Sequence, residues 1–234
     1  MIPLVLIPGM MCDARVFGPQ IEALSMDVPL ITIPALGPTS MTTWAEELLG
    51  WLPSQFAVAG LSMGGILAME LMRQAPQRVC GVALLDTNPL AEQDVVKTRR
   101  ARQMATVQAG GLRAVMRDEM KPNYLCDGPD RPRILDLCME MADALGADVF
   151  RRQSLALRDR TDQCDTLRAF PGPSLVLCGR QDVLCPVERH ILMHDLLPNS
   201  RLYVVENAGH LPTLEAPQET SEVLRQWLMD GDRS

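Results

Sequence analysis

The sequence predicts an α/β fold: a mainly parallel sheet of about six strands flanked by helices, with one helical insertion. Three observations carry this. Six short apolar runs, rich in Leu, Val and Ile, each close on turn residues, as strands buried on both faces of a parallel sheet do. Helical patterns fall between most of them, and that alternation marks a doubly wound sheet. Between the fourth run and the fifth, over residues 88–168, only helical patterns occur. The 234 residues suit one domain with an insertion, and the 47 % apolar content is enough for a sizeable core.

The elements follow in order. The first run ends as PLVLIPG at Gly9, and the second is VPLITIPAL, residues 28–36. Residues 42–52 place Trp44, Leu48, Leu49 and Leu52 at helical spacing. The third run, QFAVAGLS at 55–62, leads into a helix over 64–75, and the fourth, VCGVALLDT, covers 79–87. Helical stretches at 92–107, 111–120, 131–145 and 147–158 are separated by Gly110-Gly111, Lys121-Pro122, Gly128-Pro129 and Gly146. The fifth run, SLVLCGRQD at 174–182, precedes a helix over 188–197; the sixth, RLYVVE at 201–206, precedes a helix over 218–229. The expected organisation is a body of residues 1–87 and 169–234 carrying an insertion, 88–168.

Charge narrows the partners. A net charge of -7 argues against nucleic acid. No apolar run reaches the ~20 residues that span a bilayer. Nothing in the sequence specifies an oligomeric state. The insertion holds 14 basic and 13 acidic side chains, against 8 and 16 elsewhere, and twelve of its basic residues are Arg. One pointing inward would bind a substrate carboxylate bidentately; on a solvated helix face they would pair with the local acids. Seven cysteines, an odd number with no CxxC pair, fit a reduced, cytoplasmic setting.

Gly60-Leu61-Ser62-Met63-Gly64 is a GxSxG pattern between a strand and a helix. That is the setting of a nucleophile elbow, a strained turn that lifts the serine above the sheet edge. A hydroxyl needs a base. Of the three histidines, His210 lies in a turn just past the sixth strand, at the sheet edge where sites collect. His190 and His194 stand i,i+4 on a helix with no accompanying acidic or Cys cluster, and read as surface or packing residues rather than metal ligands. The base needs a carboxylate to fix its tautomer. Asp182, closing the fifth strand, is the first choice; Asp86, closing the fourth, is the alternative acid. The turn Pro8-Gly9-Met10 after the first strand places a backbone N–H of Met10 to pair with that of Met63 as an oxyanion hole.

The segments LIPGM, GLSMGG, GRQDVLCP and NAGHLPTLEAP resemble signatures of α/β-hydrolase fold proteins with short helical caps, over most of the chain and least in 88–168. The order Ser62, Asp182, His210 is that fold's triad order. Pro8-Gly9 stands where the family commonly has His-Gly, and the sequence starts at the strand before it, without the family's two leading strands. The resemblance implies acyl transfer to Ser62 and hydrolysis by water activated at His210, with no metal or organic cofactor. The substrate would be a small or medium carboxylic ester, thioester or lactone selected by the cap. A serine nucleophile argues against haloalkane dehalogenase and epoxide hydrolase chemistry. A carbon–carbon bond hydrolase or lyase on the same fold is the alternative reading, and a non-catalytic ligand receptor the remote one.

Overall fold

The computed structural model describes residues 2–231; Met1 and residues 232–234, the ends of the predicted body, lie outside the described residues. The chain runs β1 (Leu4–Ile7), α1 (Gly18–Leu24), β2 (Leu30–Thr32), α2 (Met41–Leu49), β3 (Phe56–Leu61), α3 (Met63–Gln74) and β4 (Val79–Leu85). There follow α4 (Asp94–Gln108), α5 (Leu112–Ala114), which runs into a π-helical turn at Val115–Met120, α6 (Arg131–Arg158) and α7 (Cys164–Ala169). The chain closes with β5 (Ser174–Gly179), α8 (Val187–Leu196), β6 (Ser200–Val205), α9 (Pro212–Glu215) and α10 (Pro217–Gly231).

The six strands form one sheet in the order β2-β1-β3-β4-β5-β6, every pair parallel, as the apolar runs predicted. Alternation along each strand sends side chains to opposite faces. Val5, Ile7, Val58, Val82, Leu84 and Val176 join one core with residues of α2, α3 and α8. Leu4, Leu6, Ala59, Leu61, Leu85 and Leu177 join the other with Leu24 of α1 and Leu224 and Trp227 of α10. Both faces are covered, which is why the strands read as unbroken apolar runs rather than as alternating ones.

Three local differences from the sequence expectation have physical causes. The second run gives only three strand residues, because Pro29 and Pro34 bracket them and cannot donate to a ladder. Helix α1 and the 3₁₀ turn before it, Ala14–Phe17, were not expected, because Gly18-Pro19 reads as a break; proline is tolerated in a first turn. The predicted helices 131–145 and 147–158 meet without a loop: α6 is interrupted only at Gly146, whose φ of 79° and ψ of 178° are not helical. Among the described residues, no helix is long and apolar enough to cross a membrane.

Chain direction reverses across the sheet between β1 and β3. From β1 the chain steps outward to β2, and from β3 it proceeds the other way to β6. Such a switch point opens a crevice at the carboxyl ends of the two strands. The loop after β1 and the turn after β3 meet there.

Candidate active site

Ser62 joins β3 to α3 in one residue, with φ 54° and ψ −114°. A non-glycine residue with positive φ is strained and persists only where its surroundings hold it. Here they do. The Ser62 N–H donates to the Leu85 carbonyl at 2.8 Å, and the Ser62 carbonyl accepts from Thr87 Oγ1 at 2.6 Å. The turn also demands glycine by proximity: a Cβ at Gly60 would collide with the Gly64 backbone, and one at Gly64 with the Ile7 carbonyl. The conformation leaves Ser62 Oγ projecting from the sheet edge at the start of a twelve-residue helix.

His210 Nε2 lies 2.9 Å from Ser62 Oγ, and His210 Nδ1 lies 2.8 Å from Asp182 Oδ2. The structure thus brings together the three residues singled out from the sequence. A carboxylate only accepts, so Nδ1 carries the proton toward Asp182 and Nε2 is free to accept from the serine hydroxyl. The other oxygen of Asp182 accepts from the N–H groups of Leu184 and Cys185, at 2.8 and 3.0 Å. Burial pushes the Asp182 carboxyl upward, but its interaction with His210 and the hydrogen bonds from Cys185 and Leu184 outweigh it and hold its pKa below the ordinary value. Asp182 and His210 are both buried.

Asp86 occupies a different station. It is fully buried, with φ 44°, and Oδ1 accepts from the Gly179 N–H at 2.9 Å. Its pKa is raised well above the carboxylate range by burial and by the neighbouring Asp182 charge, which favours the protonated acid. Its other oxygen, Oδ2, is buried with no hydrogen-bond partner among the described residues. The structure gives Asp86 no hydrogen bond to His210 among the described residues.

Gly9 lies against the elbow: a Cβ there would touch Ser62 Cβ at 3.4 Å. The next amide, Met10 N–H, has no protein acceptor among the described residues, while Met11 N–H donates to Gln153 Oε1 of α6 at 2.9 Å. Gln153 Nε2 in turn donates to the Ala35 carbonyl at 3.0 Å. No local pattern points to Gln153, because its partner is 142 residues away.

Other supports were equally hidden. Glu215 accepts from the N–H groups of Gly209 and Leu211, on either side of His210, and from Cys126 N–H at 2.8 Å. It ties the histidine turn to the segment between α5 and α6. Tyr124, in that segment, accepts from His210 N–H at 2.7 Å, and its ring stands 5.9 Å from the imidazole. His190 is a buried support rather than a surface residue: Nε2 accepts from Thr87 N–H at 3.1 Å and Nδ1 faces the Pro186 carbonyl at 3.3 Å. Burial lowers its pKa to about 4, so it is neutral and steadies the Thr87 that holds Ser62. His194 pairs with Ser200 Oγ. The signal for Glu215 was its place five residues after the histidine in HLPTLE; the rest had none.

Asp182, Cys185 and His210 bring ligand atoms within 4.8 Å of one another. Two of these are committed to the Ser62 relay. Burial and the Asp182 charge raise the Cys185 thiol well above its usual pKa, so the thiolate a metal requires is disfavoured. The chemistry these groups offer is acyl transfer, with a nucleophile, a base and an orienting carboxylate in line.

Comparison with known proteins agrees with this fold. A family model described as the alpha/beta hydrolase family matches residues 4–223. A pimeloyl-(acyl-carrier protein) methyl ester esterase of Legionella pneumophila is 27 % identical over 228 residues, covering 91 % of this chain and 89 % of the relative. Among solved structures, a thermophilic esterase from Thermogutta terrifontis, in its malate-bound form, has a TM-score of 0.90 at 28 % identity, covering 99 % of this chain and 90 % of that one. The enol-lactonase from Burkholderia xenovorans has a TM-score of 0.87 at 17 % identity over 98 % and 92 % of the two chains, a likeness of fold. The chain belongs to the alpha/beta hydrolase family.

Proposed function

We propose that this member of the alpha/beta hydrolase family cleaves small or medium carboxylic esters, thioesters or lactones through an acyl-enzyme on Ser62. The observation that carries the reading is the continuous relay Ser62 Oγ–His210 Nε2 and His210 Nδ1–Asp182 Oδ2, at 2.9 and 2.8 Å, built on a strained elbow.

In this reading Ser62 Oγ attacks the ester carbonyl while His210 Nε2 takes its proton. Asp182 holds the imidazole tautomer and stabilises the imidazolium. The tetrahedral oxyanion is received by the N–H groups of Met10 and Met63, one from each side of the switch point; losing one such donor typically lowers the rate about 100- to 1000-fold. His210 returns the proton to the departing alcohol, thiol or lactone oxygen. It then activates the water that releases the acid. Asp86 acts as a neutral support of Asp182. The helical segment 88–168 acts as the cap, with Tyr124 and Gln153 as its contacts with the site. Seven free thiols fit the reducing, cytoplasmic setting expected from the sequence.

A panel of p-nitrophenyl and methyl esters of graded acyl length, alongside vinylogous 1,5-diketones, tests this. Ester turnover that is lost in Ser62→Ala is expected. Cleavage of the diketones alone would favour the carbon–carbon hydrolase alternative, and ligand binding without turnover the receptor. Including a methyl ester both as a free acid derivative and on acyl-carrier protein, the substrate in the Legionella relative's name, shows in which form the acyl chain arrives.

A further inference from the structure

Glu92, Arg100 and Arg160 form a buried cluster where the helical segment meets the crevice. Their side chains are 6 %, 15 % and 6 % exposed, whereas the segment's other ion-paired arginines are exposed or half-exposed. Arg160 is saturated. It donates to both oxygens of Glu92, at 2.7 and 3.1 Å, and to the Leu90 carbonyl at 2.9 Å. Arg100 is not. Its Nε donates to Glu92 Oε2 at 2.9 Å, but Nη1 meets only the Met10 sulfur at 3.6 Å, a weak acceptor. Its Nη2 has no protein partner among the described residues. Two guanidiniums share one carboxylate, so one positive charge is left over in a place largely shielded from water. That is costly unless an anion joins it.

The free end of Arg100 faces Met10, in the loop that follows β1. Met10 follows Gly9, where an added Cβ would come 3.4 Å from Ser62 Cβ, so the loop that carries Met10 lies against the elbow. With Nε engaged by Glu92, the Nη1–Nη2 edge remains, and that planar fork matches a carboxylate bidentately. We infer that Arg100 is a specificity-determining residue that anchors a second, free carboxylate of the substrate, making the preferred substrates monoesters of dicarboxylic acids or lactones bearing a carboxylate. This rests on Ser62 as the nucleophile. Glu92 and Arg160 position Arg100, and Met10 yields its sulfur contact to the incoming carboxylate.

The test compares monomethyl and dimethyl esters of the three- to seven-carbon diacids by methanol release, in the wild type, Arg100→Gln and Arg100→Lys. The wild type should favour one or more monoesters over the matching diester by about tenfold or more in kcat/KM. Arg100→Gln should lower monoester kcat/KM about 10- to 100-fold, the range for losing a charge-assisted pair, mainly through KM, and leave the diester within about threefold. Arg100→Lys should fall between. No monoester preference at any length, or equal losses on both ester types, would overturn the proposal. A second measurement needs no variant. The free diacid of the preferred length should slow fluorophosphonate labelling of wild-type Ser62 at least about tenfold, and its neutral diamide should not. Labelling at Ser62 that ignores the diacid overturns the role of Arg100 alone; absence of labelling at Ser62 counts against the nucleophile itself.

Discussion

In the α/β body the groups of the relay and its strained residues sit at the ends of buried strands: Ser62 after β3 and Asp86 after β4 both have positive φ, and Asp182 after β5 is shielded from water. In residues 88–168 the charged groups are mostly at the surface. Every one of the segment's twelve arginines except Arg99 pairs with an acid, and most of these pairs are solvent-exposed. The body holds its groups by parallel strands, close backbone contacts and hydrogen bonds that cannot be exchanged for water. The segment holds its own by ion pairs that are each worth about 0–1 kcal/mol. The difference sets a rigid station for Ser62 beside a segment whose surface can vary. In the proposed reading, the reacting groups belong to the part where any displacement is expensive, and the contacts that would select a substrate belong to the part where it is cheap.

The sharpest way to break this comparison is within the body, between two buried carboxylates. Asp182→Asn removes the group that orients His210 and should lower kcat by about 10⁴-fold, the scale for a lost triad carboxylate. Asp86→Asn keeps an uncharged side chain of the same shape, with an oxygen to accept from Gly179 N–H, and should cost no more than about tenfold. Steady-state kinetics on one activated ester decides it; the reverse ranking would make Asp86 the working acid. Gly64→Ala should come next. Its Cβ has no room beside the Ile7 carbonyl, so thermal unfolding should report a loss of about 3 kcal/mol or more, in the overpacking range and above.

A smaller effect is a pH dependence carried by His190. Its folded-state pKa is lowered to about 4 by burial, against about 6.5 in an unfolded chain. Below about pH 6.5 the unfolded state takes up a proton that the native state refuses until about pH 4. Stability is therefore lost as pH falls through this window, by roughly 3 kcal/mol in total. Denaturant unfolding between pH 7 and 4 should show a shallower decline for His190→Gln than for the wild type; parallel declines would mean that His190 is not buried neutral. The smallest effect belongs to the surface of residues 88–168. Arg133→Ala, which breaks an exposed pair with Asp130, should change stability by less than about 0.5 kcal/mol and leave ester turnover unchanged.

How much of this was legible in the sequence follows the same division. The six strands were readable because burial on both faces writes an apolar run into the residues, and Ser62, Asp182 and His210 were readable because each sits at a strand end within a local pattern. Edges were lost where local chemistry competes: Gly18-Pro19 hid α1, and two prolines cut β2 to three residues. The supporting shell was invisible for a different reason. Gln153 reaches Met11 across 142 residues, His190 reaches Thr87 across 103, and Glu215 reaches Cys126 across 89; no window of sequence contains both partners. The arginines of 88–168 show the limit most clearly. Composition suggested either a solvated face or an inward anchor, and only the fold separates Arg133, paired at the surface, from Arg100, turned toward Met10.

The central claim is that Ser62 is the nucleophile and that His210 and Asp182 activate it. The most direct measurement is peptide-mapped mass spectrometry after reaction with a fluorophosphonate, comparing the wild type, Ser62→Ala and His210→Ala. One adduct on the peptide containing Ser62, absent in Ser62→Ala and formed at least about 10³-fold more slowly in His210→Ala, is the predicted result. An adduct that persists in Ser62→Ala, or labelling of Ser62 at an undiminished rate without His210, would contradict it.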